Sequence, residues 1–126
     1  MMIKHILIVN NEPSLLVSVS MSLLQAGHVV TVATTGDEAF RKIKQRRIAN
    51  SRFDLLILDT QIMDLSGIGW LEIIREYNGK MPVLFISGNT DHHLGSLIAQ
   101  KNQTAFLNKP FGSRQLVQSV EAMMGP

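Results

Sequence analysis

The chain contains no cysteine, which excludes disulfides, thiolate catalysis and cysteine-based zinc sites. Long apolar runs are also missing, and no stretch approaches the ~20 residues that a bilayer-spanning helix requires. The opening residues Met1-Met2-Ile3-Lys4-His5 lead straight into a short apolar run without a small-residue cleavage site, so they do not read as a secretory leader. Charge of one sign is scarce. Twelve Lys and Arg against ten Asp and Glu leave a formal charge of +2, too little to argue for a polyanionic partner. No G-x-x-x-x-G-K-[ST] is present, which argues against a P-loop nucleotidase. No G-x-G-x-x-G follows an apolar run, which argues against dinucleotide binding.

What remains is the composition of an ordinary globule, with 45% hydrophobic and 17% charged residues in 126, enough for one domain and one core. The expectation is a single domain over residues 1–126, cytoplasmic and without a membrane anchor. Five short apolar runs recur along it: Ile3–Val9, Val29–Ala33, Leu55–Leu58, Val83–Ile86 and Ala105–Leu107. Their lengths suit strands, and the unbroken apolar character of the third predicts burial on both sheet faces. Helical patterns lie between them. The first covers Ser14–Gln25, with Pro13 at its first turn and Gly27 past its end, a start and a stop with physical reasons. The second, Asp37–Arg47, has acids early and bases late, as the helix dipole prefers. The third, Gly67–Tyr77, closes at Asn78-Gly79, the fourth spans His92–Lys101 before Asn102, and the last covers Ser113–Met124. Strict alternation of strand and helix predicts an α/β fold, a doubly wound parallel sheet of flavodoxin-like (βα)5 type with strand order 2-1-3-4-5.

In such a sheet ligands bind beyond the carboxyl ends of the strands, where the strand order reverses. Polar residues at those ends are Asn10, Asn11 and Glu12 after the first strand, Asp59 after the third, Ser87 after the fourth and Lys109 after the fifth. Each alone is ordinary: an aspartate after a strand is as often a helix cap. Together they make a phosphoryl site. A carboxylate is a nucleophile for an acyl phosphate, while a hydroxyl and an ammonium hold the new oxygens. An oxygen-rich pocket beside them would suit Mg²⁺.

The segments Ile6-Leu7-Ile8-Val9-Asn10-Asn11-Glu12-Pro13, Asp54-Leu55-Leu56-Ile57-Leu58-Asp59, Pro82-Val83-Leu84-Phe85-Ile86-Ser87 and Phe106-Leu107-Asn108-Lys109-Pro110-Phe111 resemble, in order and spacing, the four motifs of two-component receiver domains. The likeness covers essentially the whole chain. It implies that Asp59 accepts phosphate from a histidine kinase or phosphotransfer protein, that Ser87 turns towards the phosphoryl group and that Lys109 pairs with it. It implies that Phe106 is the aromatic switch on a face formed by helix 4, strand 5 and helix 5, through which a downstream partner, an effector domain or a second copy of the chain would dock. The Mg²⁺ ligands would be Asp59, Asn11, the backbone carbonyl of Gln61 and, weakly or through water, Asn10. Beyond self-phosphorylation and dephosphorylation at Asp59, no enzymatic activity is implied.

The chain departs from that pattern where receivers usually carry two acids, having Asn10 and Asn11 instead. At about 4 Å and an effective dielectric of about 20–80, each lost carboxylate forfeits about 2–8 kcal/mol of attraction to a dication before desolvation. Weak Mg²⁺ binding is therefore expected, together with a direct Lys109–Asp59 pairing in the resting state. Ile62-Met63, Ser66-Gly67 and Gly88 are smaller departures in the loops. The competing reading is a pseudo-receiver that keeps the fold and binds proteins without phosphate. Retention of Asp59, Ser87 and Lys109 favours the switch. A flavodoxin would want a Ser/Thr-rich phosphate loop where Asn10–Pro13 stands, and a haloacid-dehalogenase-type phosphatase a second Asp in Asp59-Thr60-Gln61.

Other conspicuous residues read as structure. His92 and His93 are adjacent and do not share a helix face, Trp70 lies among Ile68, Leu71 and Ile74, and Met123-Met124 suit packing of the last helix. Glu12 is a candidate to bring charge to the cleft. Arg41, Lys42, Lys44, Arg46, Arg47 and Arg52 read as a solvated helix face and loop rather than a nucleic-acid surface. With helix 5 near the end of the chain, an effector domain is not visible, which fits either a stand-alone regulator or an excised domain.

Overall fold

Alternation along the strands sorts the aliphatic side chains into two cores. Leu7, Val9, Leu56, Leu58, Val83 and Phe85 belong to one, and Ile6, Ile8, Leu55, Ile57, Leu84 and Ile86 to the other. That is the period-two signature of a sheet buried on both faces. A computed structural model describes residues 4–49, 51–59, 81–88 and 103–124. In chain order its elements are β1 (His5–Val9), α1 (Pro13–Gln25), β2 (Val29–Ala33), α2 (Gly36–Ile48), β3 (Leu55–Asp59), β4 (Val83–Ser87), β5 (Thr104–Asn108) and α3 (Ser113–Met124). The third and fourth predicted helices, Gly67–Tyr77 and His92–Lys101, lie outside the described residues, as do Gln61, Trp70 and Asn102.

The strands form one sheet in the order β2-β1-β3-β4-β5, with every neighbouring pair parallel. This is the flavodoxin-like order. Central β3 and β4 are buried throughout, whereas the outer strands β2 and β5 are only partly covered. The predicted runs are one residue short at β3 and β4, because the ladder continues through Asp59 and Ser87 after the apolar side chains stop. Hydrogen bonding, not hydrophobicity, ends a strand.

Helix positions follow from local chemistry. Pro13 occupies the first turn of α1, where its missing N–H costs nothing, and Gly27 turns the chain out with φ 95°. Val19 and Leu23 face the second core. The Thr35 hydroxyl accepts from the Glu38 N–H, and the Glu38 carboxylate accepts in return from the Thr34 N–H, a reciprocal cap. Ala39 and Ile43 carry α2 onto the first core. Leu116 and Val120 dock α3 beside α1 on the second, with Met123 and Met124 packed against it as expected.

Some of the basic residues do more than face solvent. Lys42 donates to the Val32 carbonyl at 2.6 Å, covering an outward-facing group on edge strand β2. The Arg46 guanidinium sits 4.5 Å from the centre of the Phe53 ring and donates to Ser51. His28 is buried with neither ring nitrogen hydrogen-bonded, and its Nε2 lies 3.5 Å from the Glu121 carboxylate on α3.

Thr35→Ala removes the α2 cap and is expected to lower stability by about 1 kcal/mol. Leu23→Ala empties part of the second core and is expected to cost about 2–5 kcal/mol. Urea unfolding of both variants checks this order. A Thr35→Ala midpoint equal to the parent's would show that the cap does not hold α2.

Candidate functional site

Parallel pairing puts the carboxyl ends of all strands on one edge of the sheet. Asn10 follows β1, Asp59 ends β3, Ser87 ends β4 and Lys109 follows β5. Asn10, Asp59 and Ser87 are buried, and Asn11 and Glu12 are exposed.

Asp59 Oδ2 accepts two hydrogen bonds of 2.9 Å, from Asn10 Nδ2 and from Lys109 Nζ. The Asp59 side chain is 6% exposed and that of Lys109 22%. Burying a carboxylate is costly unless an opposite charge and donors accompany it, and Lys109 and Asn10 supply both. A charge-assisted hydrogen bond of this kind is worth about 1.5–3 kcal/mol.

The orientation of Asn10 is fixed by its other neighbour. Its Oδ1 accepts the Glu12 backbone N–H at 2.7 Å. A backbone N–H only donates, so the atom facing it is the carbonyl oxygen and the amide NH₂ faces Asp59. The turn is an Asx turn leading into α1. Asn10 therefore presents a donor to Asp59, where the sequence reading considered its carbonyl as a metal ligand. The pattern Asn-x-Glu-Pro at a helix entry was the available signal for this turn.

Lys109 stands between two carboxylates. Besides Asp59, Glu12 Oε2 lies 3.7 Å from its ammonium, but that side chain is 56% exposed and such a pair contributes about 0–1 kcal/mol. The lysine main chain is tied down as well, its N–H donating to the Ser87 carbonyl at 2.8 Å. The following peptide bond, Lys109–Pro110, is cis. A Cβ added to Gly88 would meet Lys109 Cδ at 3.5 Å, an ordinary contact. Phe106 on β5 pairs with Phe85 and packs, partly buried, on the first core. Gln61 lies outside the described residues.

The Mg²⁺ implied by the sequence resemblance meets a poor donor set here. Among the described residues no three His, Cys, Asp or Glu side chains cluster as metal ligands. The Asn10 carbonyl is engaged by Glu12, and Asp59 Oδ2 is held by an amide and an ammonium. Hard dications need several convergent oxygens. As arranged, the described side chains do not fit one.

The chain is similar to known proteins along nearly all its length. The probable transcriptional regulatory protein TcrX of Mycobacterium tuberculosis is 28% identical over 94% of this chain and 49% of its own. The alkaline phosphatase synthesis transcriptional regulatory protein PhoP of Bacillus subtilis is 26% identical over 96% of this chain and 48% of its own. The chain thus spans about half the length of these curated relatives. Among solved structures, a CheY-like response regulator receiver domain protein from Methanospirillum hungatei superposes with a TM-score of 0.80 at 26% identity, covering 98% of this chain and 94% of that one. The receiver domain of NtrX from Brucella abortus gives 0.83 at 26% identity, covering 94% and 97%. Residues 6–121 match the family model of the response regulator receiver domain, and the chain belongs to that family of two-component signalling domains.

Proposed function

We propose that the chain is a phosphorylation-controlled switch in which Asp59 accepts a phosphoryl group from a histidine kinase or phosphotransfer protein. Ser87 and Lys109 would hold the transferred oxygens, and Phe106 would report the change on the face that includes β5 and α3. The observation that carries this reading is the buried Asp59–Lys109 contact of 2.9 Å at the carboxyl edge of the sheet. The nucleophile and a cation for the new charge are already together. Asn10 and Asn11 stand in place of the usual acidic pair, so Mg²⁺ is weakly bound at most and the resting state is held by Lys109 instead. A cytoplasmic setting, a downstream protein partner or effector domain, and a homodimer through the β5–α3 side belong to the same reading.

The second reading, a pseudo-receiver that binds proteins without phosphate, draws support from the same carboxylate. Both donors on Asp59 Oδ2 leave the resting site stable without modification. Chemistry separates the two. Incubation with phosphoramidate or beryllofluoride, with and without saturating Mg²⁺, is expected to give an adduct by intact mass or fluorescence. Asp59→Asn is expected to abolish it. No adduct in any condition would establish the pseudo-receiver.

Millimolar Mg²⁺ is expected to raise the melting temperature by less than about 2 °C, the effect of a site near half-saturation in a domain of this size. A rise of about 5 °C or more would overturn weak metal binding. Gly88→Ala is expected to leave both melting temperature and adduct formation unchanged, because among the described residues the added methyl meets only the Lys109 stem, at contact distance.

A further inference from the structure

We propose that the Asn10 side-chain amide takes the electrostatic place of a divalent cation at this site, so that Asp59 is phosphorylated from a small phosphodonor without metal. This rests on the reading of Asp59 as acceptor and adds a catalytic residue to it.

The Asn10 amide is buried, lies 2.9 Å from Asp59 Oδ2 and is locked in orientation by the Glu12 N–H on its far end. It cannot rotate to present its carbonyl without stranding that backbone donor. Lys109 reaches the same oxygen from β5. The second N–H of that amide and the ammonium protons not spent on Asp59 are donors beside the carboxylate for the charge that develops on the phosphoryl oxygens. An aspartate at position 10 would instead set two carboxylate oxygens against each other, a repulsion that a proton or a cation must relieve. With asparagine that requirement is gone.

The step is an ordinary displacement. A carboxylate oxygen of Asp59 attacks the phosphorus of phosphoramidate. The O–P bond forms as the P–N bond breaks, the bonding pair leaves with nitrogen, and the departing ammonia takes its proton from solvent. The product is an acyl phosphate whose added negative charge meets the Asn10 N–H and the Lys109 ammonium.

Phosphoramidate is the donor for the test, with the adduct followed by intact mass in EDTA and in saturating Mg²⁺. The parent is expected to react at rates differing by less than about threefold between the two buffers. Asn10→Ala is expected to slow the EDTA reaction by about tenfold to a hundredfold, the loss of one charge-assisted donor. Asn10→Ser keeps an acceptor for the Glu12 N–H and separates the turn from the amide, so it should be as slow as Asn10→Ala while melting above it. Asn10→Asp should be silent in EDTA and recover in Mg²⁺. An adduct on the parent only when Mg²⁺ is present would overturn this inference while leaving Asp59 as the acceptor. Equal EDTA rates for parent, Asn10→Ala and Asn10→Ser would remove Asn10 from the chemistry. No adduct in any arm would overturn the acceptor reading itself, and this inference with it.

Discussion

One carboxylate oxygen organises the carboxyl edge of this sheet. Asp59 Oδ2 binds a side chain from the end of β1 and another from the end of β5, so it ties the inner and outer parts of the sheet through a single acceptor. The desolvation of an ionised carboxylate amounts to several kcal/mol even in a relaxed protein. Only an opposite charge with good hydrogen bonds offsets it, and both are present. The identity of residue 10 is therefore a decision about charge. Asparagine completes a neutralised group, whereas a further acid would leave it in need of a cation.

Much of this arrangement was legible beforehand, for a geometric reason. Once the alternation of elements implies a parallel sheet, all strand ends share an edge, and Asn10, Asp59 and Lys109 meet there although they are far apart in sequence, with Ser87 at the end of the neighbouring strand. Burial of β3 on both faces followed from its unbroken Leu-Leu-Ile-Leu. What could not be read from residue types was the direction of the Asn10 amide. Either end of that side chain can face a neighbour, and only the position of the Glu12 N–H decides.

The basic residues of α2 carry a similar lesson. As a composition they make a solvated, positively charged face. In the fold Lys42 reaches back to an edge carbonyl and Arg46 lies over Phe53, so part of the charge serves to close a sheet margin and roof a core ring. A run of lysines and arginines thus says little about partners until its tethered members are set aside. His28 shows the converse, since an unremarkable position in the sequence proves to be a buried ring without hydrogen bonds.

The backbone tie of Lys109 has a mechanical meaning. Its N–H is fixed to Ser87 while its ammonium grips Asp59, so the residue is a lever with its fulcrum on β4 and its tip on β3. The carboxylate is thereby linked to the outer rim of the sheet through a single side chain.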